Sequence, residues 1–245
     1  MTARLASIWR HPIKAIGREA MDRVTLIAGQ TLPGDRVWAI AHDLSDAPDD
    51  MWSRCGGFLR AASSPRLMAV EARRDGGTLV LTHPDRPELA IDPDADSARL
   101  LEWLAPLVAE GRPAPARVVR APAGHGMTDT SAPSITLGNL TSHRIVAERL
   151  GRDLSIHRWR CNLWMSGLAP WEEFDLVGRH VRLGDTVLEV YKRIDRCRAT
   201  EANPQTGRRD ADTLSVLDEF GHRDFTVGLR VVEGGELAIG DVLCL

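Results

Sequence analysis

The sequence predicts a mostly-β α+β fold, on three observations. Most of the apolar residues fall in short runs separated by Gly, Pro and Asp, which is the spacing of strands and turns. A Gly-Asp pair, typical of tight turns, stands at 34–35, 184–185 and 240–241, each time ahead of an apolar run. Only a few segments carry the periodicity of an amphipathic helix. We therefore expect a bent or barrel-like sheet with a few peripheral helices.

The composition is that of a globular protein, and it narrows the classes of partner. Of the 245 residues, 43% are hydrophobic and 27% are charged, which excludes a disordered, collagen-like or coiled-coil chain. The net charge of −3 disfavours nucleic acid and anionic membranes as partners. No apolar run approaches the ~20 residues of a membrane span, and the first residues lack the apolar run of a secretory signal. We expect a cytoplasmic protein with no nucleic-acid or membrane partner.

The first half of the chain predicts strands followed by one helix. Apolar runs predict strands at 4–10, 24–27, 37–41, 67–72 and 78–81. The pair Gly76-Gly77 predicts a hairpin between the last two strands. Leucines at helical spacing predict a helix over 97–109, whose last turn Pro106 kinks or removes. Pro113 and Pro115 then indicate a linker, which divides the chain into domains 1–112 and 113–245.

The second half opens with a Gly/Pro/Ser-rich loop at 121–133 and continues with strands and two helices. One helix is predicted over 139–150, capped by Asn139 and stopped by Gly151, and a shorter one over 211–220. Strands are predicted within 154–165 and at 180–183, 186–194, 225–232 and 236–245.

Several cations are placed to meet an anion. Lys14 follows an apolar strand and a proline turn, and Arg36 stands at the predicted start of a strand. An arginine there can bind a phosphate in a bidentate way, although a solvated loop lysine and a structural pair of Arg36 with Asp35 are open alternatives. The hydroxyl-rich loop 128–133 resembles a phosphate nest. Arg158 and Arg160 alternate around Trp159, which predicts both on one face of a strand.

Cys197 carries the most informative local pattern. It lies between Arg196 and Arg198, and cationic neighbours stabilise a thiolate. Thiolate is both a nucleophile and a ligand for soft metals. The alternative is a small buried packing residue, which is what an isolated cysteine usually is. The residues thus predict an anion-binding groove with one activated thiolate, and they leave the ligand open.

Six motifs in a fixed order resemble those of the MOSC-domain proteins, named for the C-terminal domain of molybdenum-cofactor sulfurase, which include the amidoxime-reducing components. The motifs are HPIKxIG, GDRxWAI, TDTSxP, RWRxN, RCxxT followed by NPxTG, and GGxLxxGD. The resemblance covers nearly the whole chain. It implies a MOSC β-barrel preceded by a smaller MOSC N-terminal β-barrel-like domain.

The resemblance also implies roles for particular residues. Cys197 would bind molybdenum directly, and Asp129 would lie near the open face of the metal as a proton relay. The residues that would hold the molybdenum cofactor (molybdopterin) are Lys14, Arg36, Thr130, Ser131, Arg158, Arg160, Asn162 and Arg196. Two positions depart from the family pattern: Ala15 stands where a serine is frequent, and Cys161 where a proline is frequent.

The function implied first is a molybdenum-dependent oxidoreductase that reduces the N–O bond of N-hydroxylated small molecules. Electrons would come from a separate donor of the ferredoxin or flavin reductase type, because the sequence carries no flavin, nicotinamide or iron–sulfur motif. Two alternatives use the same thiolate or the same groove. One is a sulfur carrier with a persulfide on Cys197, and the other is a non-catalytic carrier of the molybdenum cofactor.

Overall fold

A computed structural model describes residues 2–245, which form fifteen strands and three α-helices. The strands are β1 (Arg4–Arg10), β2 (Glu19–Met21), β3 (Arg23–Leu26), β4 (Trp38–His42), β5 (Glu71–Asp75), β6 (Thr78–His83), β7 (Arg86–Ile91), β8 (Pro115–Arg120), β9 (Ile135–Asn139), β10 (Leu163–Ser166), β11 (His180–Leu183), β12 (Thr186–Asp195), β13 (Asp224–Glu233), β14 (Gly235–Ala238) and β15 (Leu243–Cys244). The helices are α1 (Ser97–Leu104), α2 (Leu140–Arg149) and α3 (Thr213–Glu219). The predicted mostly-β class is confirmed.

The main sheet has eight strands in the order β15-β11-β12-β13-β9-β10-β1-β2. Its β9–β10 pair is parallel, and its other pairs are antiparallel. Backbone hydrogen bonds from Leu5 to Asp241 and from Gly240 to Leu5, both 2.8 Å, join β1 to the segment before β15. The sheet therefore curls back on itself around a core of aliphatic side chains from both halves of the chain.

The two halves of the sequence share their sheets. Strands β1 and β2 belong to the main sheet, where β1 pairs with β10, and β3 pairs with β14, so two strands of the first half pair directly with strands of the second half. In the opposite direction, β8 pairs with β4 beside the separate β5–β6–β7 sheet. The boundary between 112 and 113 stays a prediction, and strand pairing crosses it both ways.

Local signals place most elements where the sequence predicts them. The Asn139 side chain caps α2 by accepting a hydrogen bond from the Thr141 N–H, and the β5–β6 hairpin turns at Gly76-Gly77. The glycines of the three Gly-Asp turns all have positive φ: Gly34 (78°), Gly184 (55°) and Gly240 (98°). The predicted loss of the helical end at Pro106 is also confirmed, because α1 stops at Leu104 and a 3-10 turn follows.

Three predicted strands are wrong in part. Residues Pro65–Ala69 form a 3-10 turn because Pro65 presets a helical φ, and the strand begins only at Glu71. Residues Ile156–Trp159 also form a 3-10 turn rather than a strand. The predicted strand 236–245 is split into β14 and β15 by the turn at Gly240.

None of the helices formed by residues 2–245 combines the length and the apolar character that crossing a bilayer requires.

Candidate functional site

Lys14 is a buried cation held by backbone geometry. Its N–H donates to the Trp38 carbonyl at 2.7 Å, and the next residue, Ala15, takes a left-handed φ of 64°. The residue is 5% exposed, and Nζ donates to the Met127 carbonyl at 2.8 Å and to Asp129 Oδ1 at 2.5 Å. Burial lowers the pKa of Lys14 below its ordinary value, against the opposing effect of Asp129. The open alternative of a solvated loop charge is therefore wrong.

Arg36 lies beside Lys14 and reaches into the second half of the chain. It takes a left-handed φ of 51° two residues ahead of β4, so it does not begin a strand as predicted. One guanidinium nitrogen contacts the Asp35 carboxylate, and another donates to the Arg160 carbonyl at 2.9 Å. The structural pair with Asp35 is thus present, and the guanidinium still joins the cluster.

Asp35 and His11 form a buried pair behind Arg36. The His11 N–H donates to Asp35 Oδ1 at 2.7 Å, and the ring Nδ1 lies 3.4 Å from the same oxygen. Burial and the charge of Arg160 lower the pKa of His11 to about 3. Burial opposes ionisation of Asp35, but Arg36 and His11 together hold its pKa below the ordinary value. Asp35 is therefore an anion, and His11 is neutral near pH 7.

Arg160 joins the two halves of the chain. Its φ is 47°, and its guanidinium donates to the carbonyls of Gly17 at 3.1 Å and Ile13 at 3.2 Å. Burial and the neighbouring charge of Arg36 lower the pKa of Arg160 to about 9, so it remains a cation near neutral pH. The prediction that it shares a strand face with Arg158 is wrong, because the chain turns left-handed at Arg160 after a 3-10 turn.

Arg196 connects the cationic cluster to Cys197. Its guanidinium donates to the carbonyls of Phe225 at 2.7 Å and Trp159 at 3.0 Å, and it contacts the Thr226 hydroxyl. Burial lowers the pKa of Arg196 to about 10, while the sulfurs of Cys161 and Cys197 act in the opposite direction. Arg196 is thus a partly buried cation close to both sulfur atoms.

Cys197 is exposed, so the packing alternative is wrong for it. It begins the 3-10 turn Arg198–Glu201, and its carbonyl accepts from the N–H and the hydroxyl of Thr200, at 3.2 and 3.1 Å. Arg198 turns away to Glu201, at 3.1 Å. Arg196 is therefore the flanking arginine that remains in the cluster.

Cys161 is the buried cysteine of the pair near Arg196. It is 2% exposed, its Sγ donates to the Leu163 carbonyl, and burial raises the pKa of its thiol to about 11. It stands where the family frequently has proline, and it packs in the aromatic core. Cys161 is a packing residue, in contrast to Cys197.

Asp129 stands at the mouth of the cluster. Its side chain is 77% exposed, and solvent screens its interactions. Desolvation acts to raise its pKa, but Lys14 first, then Arg36 and Arg196, hold the pKa below the ordinary value. Asp129 therefore remains a carboxylate among three cations.

The hydroxyl residues next to Asp129 face different surroundings. The Thr130 hydroxyl donates to the Ala132 carbonyl at 3.1 Å and lies 3.3 Å from the Ser134 hydroxyl. Ser131 is exposed, and its carbonyl accepts from His125 at 2.9 Å. The Thr128 carbonyl, at the start of this loop, accepts from the Trp52 indole at 3.1 Å.

Two of the predicted cofactor residues are bound within the protein itself. Arg158 is 2% exposed, and its guanidinium contacts Asp210 and the carbonyls of Thr200 and Glu201. Asn162 is 1% exposed; its amide oxygen accepts from the N–H and hydroxyl of Thr136, and its amide nitrogen donates to the Trp9 carbonyl. Neither side chain joins the cationic cluster.

The cluster carries more positive than negative charge. It contains four cations, and two carboxylates oppose them. The cations are Lys14, Arg36, Arg160 and Arg196, and the carboxylates are Asp35 and Asp129. The charge of Arg36 lowers the pKa of each of the other three cations, so these groups repel one another. Such a cluster can bind an anion beside the exposed Cys197 thiol.

Backbone strain concentrates at the same place. Residues 2–245 contain six non-glycine residues with positive φ, and four of them adjoin the cluster. These four are Ala15, Arg36, Arg160 and Thr226. For the β-branched Thr226, with φ 74°, the conformation is a true outlier. Strain of this kind collects at functional sites, which supports a binding role.

Sequence reasoning missed Thr226 and Asp210, which hold Arg196 and Arg158 respectively. Thr226 stands in a mostly apolar strand and Asp210 in a charged run over 208–212, and neither segment shows which residues these side chains contact, because only the fold brings them together.

Family models match both parts of the chain. The MOSC N-terminal beta barrel domain matches residues 2–107, and the MOSC domain matches residues 131–243. The chain belongs to the MOSC-domain proteins. The MOSC domain is a molybdenum-cofactor sulfurase-like domain, so this membership associates the chain with that cofactor in general terms.

Comparison with solved structures and curated proteins adds little to the MOSC assignment. The YUAD protein from Bacillus subtilis is 12% identical with a TM-score of 0.47, over 99% of this chain and 94% of that one. YiiM from Geobacillus stearothermophilus is 18% identical with a TM-score of 0.34, over 45% of this chain and 53% of that one. No curated protein matches the chain significantly.

Proposed function

We propose that this MOSC protein binds the molybdenum cofactor and reduces the N–O bond of N-hydroxylated small molecules. One observation carries the proposal: the exposed Cys197 adjoins a cluster in which four cations face two carboxylates. Both halves of the chain contribute to this cluster. An anionic ligand with a soft metal complements it in charge and in donor chemistry.

The residues present fit the phosphate and the metal of molybdopterin. The mutual repulsion of Arg36 and its neighbouring cations is relieved by a bound anion, so Lys14 and Arg36 would hold the phosphate. Cys197 would supply a thiolate ligand. Thr130 and Ser131 remain proposed contacts, whereas the proposal leaves out Arg158 and Asn162 because both side chains make hydrogen bonds within the protein, away from the cationic cluster.

The reaction consumes two electrons and two protons: a hydroxylamine or amidoxime becomes the amine or amidine, and water leaves. The bound cofactor would supply the two-electron redox chemistry. A separate ferredoxin or flavin reductase type protein would supply the electrons. Asp129, a carboxylate at the mouth of the cluster, would accept a hydrogen bond from the N–OH group and relay a proton, and Lys14 Nζ lies 2.5 Å from it as the next donor.

Metal content and turnover test this proposal together. We expect about one molybdenum per chain in protein made in a molybdopterin-competent host, and reductase-coupled reduction of an amidoxime. Cys197→Ser should lose about tenfold or more of the metal and the turnover. Cys244→Ser is the matched control, because Cys244 is also exposed but lies on β15. A metal-replete Cys197→Ser variant with full turnover would contradict the proposal.

The exposure of Cys197 also suits the sulfur-carrier alternative. That function predicts cyanide-releasable sulfur on Cys197 and no stoichiometric molybdenum. A non-catalytic carrier predicts bound cofactor without N–O reduction. The same preparations distinguish the three functions.

A further inference from the structure

Asp210 lies at the centre of a polar cluster next to the loop that follows Cys197. Its carboxylate contacts the Arg158 guanidinium, accepts from Asn203 at 2.7 Å and accepts from Arg152 at 3.1 Å. Arg158 is 2% exposed, so its charge needs the carboxylate as a partner. Removal of Asp210 would leave a buried cation without its counter-charge.

Arg158 connects Asp210 to the backbone that follows Cys197. Its Nη1 donates to the Glu201 carbonyl at 2.9 Å and to the Thr200 carbonyl at 3.4 Å. Thr200 in turn donates to the Cys197 carbonyl through its N–H and its hydroxyl. The C-terminal side of Cys197 is therefore tied to Asp210 through two residues.

The 3-10 turn Ile156–Trp159, to which Arg158 belongs, also holds the N-terminal side of Cys197. Arg196 donates to the carbonyl of Trp159, the residue that follows Arg158. Residues 158 and 159 thus hold the chain on both sides of the cysteine: the Arg158 side chain binds the turn that follows it, and the Trp159 carbonyl accepts from Arg196.

We infer that Asp210 and Arg158 are positioning residues that fix the Cys197 thiol beside Arg196 and the cationic cluster. The importance of this position for catalysis rests on the proposed function. The position itself is a property of the chain and is measurable in metal-free protein.

Two alkylating reagents measure the position of the thiol. Iodoacetate is anionic and iodoacetamide is neutral, and both react with the same thiolate, so the ratio of their rates reports the local electric field rather than the thiolate fraction. We expect this ratio at Cys197, resolved by peptide mass spectrometry, to be about fivefold higher than for the neutral thiol N-acetylcysteine amide. In Asp210→Asn it should fall to within about twofold of that reference.

Matched variants separate positioning from general stability. Glu189→Gln removes a carboxylate that accepts from Arg230 at 3.3 Å between β12 and β13, away from the Cys197 loop, and should keep the wild-type ratio. Asp210→Glu should restore most of the ratio. Arg158→Lys keeps the positive charge but loses the planar guanidinium, which binds the carboxylate and the backbone carbonyls at the same time. This variant should also lower the ratio, and it tests the inference if Asp210→Asn does not fold.

A wild-type ratio in Asp210→Asn, or in Arg158→Lys where Asp210→Asn does not fold, overturns the inference. So does an equal loss in Glu189→Gln. Failure of the proposed function would look different: the ratio would behave as expected, and the protein made in the competent host would contain no molybdenum.

Discussion

At the scale of single residues, the pair Lys14–Asp129 sets the charge of the site. The lysine side chain is 6% exposed and the aspartate side chain is 77% exposed, at a separation of 2.5 Å. Lys14 is fixed by the fold, whereas Asp129 lies on an exposed loop and contacts Lys14 from there. Asp129 therefore pairs with a cation that an incoming anion would need.

Removal of the Asp129 charge should strengthen anion binding. In Asp129→Asn the cluster gains one net positive charge, so we expect inorganic pyrophosphate to bind about three- to tenfold more tightly. Isothermal titration calorimetry at low salt measures the change. Asp175→Asn, an exposed aspartate in the turn Glu172–Leu176, is the control and should bind as wild type. Weaker binding in Asp129→Asn would mean that Asp129 helps to hold the anion.

His11 should make folding sensitive to acid. Its pKa is about 3 in the folded protein, against an ordinary 6.5, so the unfolded chain binds the extra proton between these values. The free energy of unfolding should therefore fall as the pH drops below about 6.5, by up to roughly 1.4 kcal/mol per pH unit for this one group.

Urea unfolding at pH 7.5, 6 and 5 measures this dependence. His11→Asn should show a shallower loss of stability with acid than wild type, whatever its stability at pH 7.5. His180→Asn, at an exposed position on β11, should keep the wild-type slope. Parallel slopes for wild type and His11→Asn would contradict the prediction.

At the scale of elements, the sequence correctly predicted the helices and hairpins that depend only on neighbouring residues. The Asn139 cap and the Gly-Gly hairpin depend on neighbouring residues, and both form as expected. The segment Arg158-Trp159-Arg160 misled because alternation of charge and bulk also fits a 3-10 turn. Trp159 is buried there against Phe225, with 3.8 Å between ring centroids. The Arg158 side chain extends to Asp210, whereas the Arg160 side chain extends to the Gly17 carbonyl.

Strand β13 shows how an element supports the cluster. Its pairing with β12 shifts register between Arg193 and Asp195, and the strained Thr226 lies in β13 within this irregularity. The shift brings the Thr226 hydroxyl to the Arg196 guanidinium. A regular ladder would not require the left-handed φ at Thr226.

Replacement of Thr226 should separate the hydroxyl from the shape of the side chain. Thr226→Val keeps the branch but leaves part of the Arg196 guanidinium without an acceptor, so we expect a loss of about 1–3 kcal/mol in the free energy of unfolding. Thr226→Ser keeps the hydroxyl and should lose less. Chemical denaturation compares the two, and equal stabilities would contradict a role for the hydroxyl.

At the scale of the whole molecule, the sequence predicted which residues carry charge but not which of them meet. Lys14, Arg36, Arg160, Arg196 and Cys197 gather at one place, as the family resemblance implied. The internal partners of Arg158 and Asn162 could not be predicted, because Asp210 and Trp9 are distant in sequence and only the fold brings them near. A sequence shows which residues are charged or polar, whereas the tertiary structure decides which partners bind them.

The second half alone should not fold. A chain of residues 113–245 lacks five buried side chains of the main core: Leu5, Ile8, Val24, Leu26 and Leu32. At ~1.5–3 kcal/mol each, their loss removes about 8–15 kcal/mol, which is comparable to the stability of a whole domain. We expect no cooperative urea transition for 113–245, and recovery when 1–112 is co-expressed. A cooperative transition of the isolated fragment would show that the pairing of β1 and β3 is dispensable.

The place of β1 in the main sheet has a consequence for biosynthesis. This strand is translated before its partner β10 (Leu163–Ser166), which follows about 150 residues later. At roughly 5–20 residues per second, the nascent strand waits on the order of ten to thirty seconds before it can dock. The cationic cluster therefore cannot assemble before Arg196 and Cys197 have been translated, and a ligand can enter it only after that point.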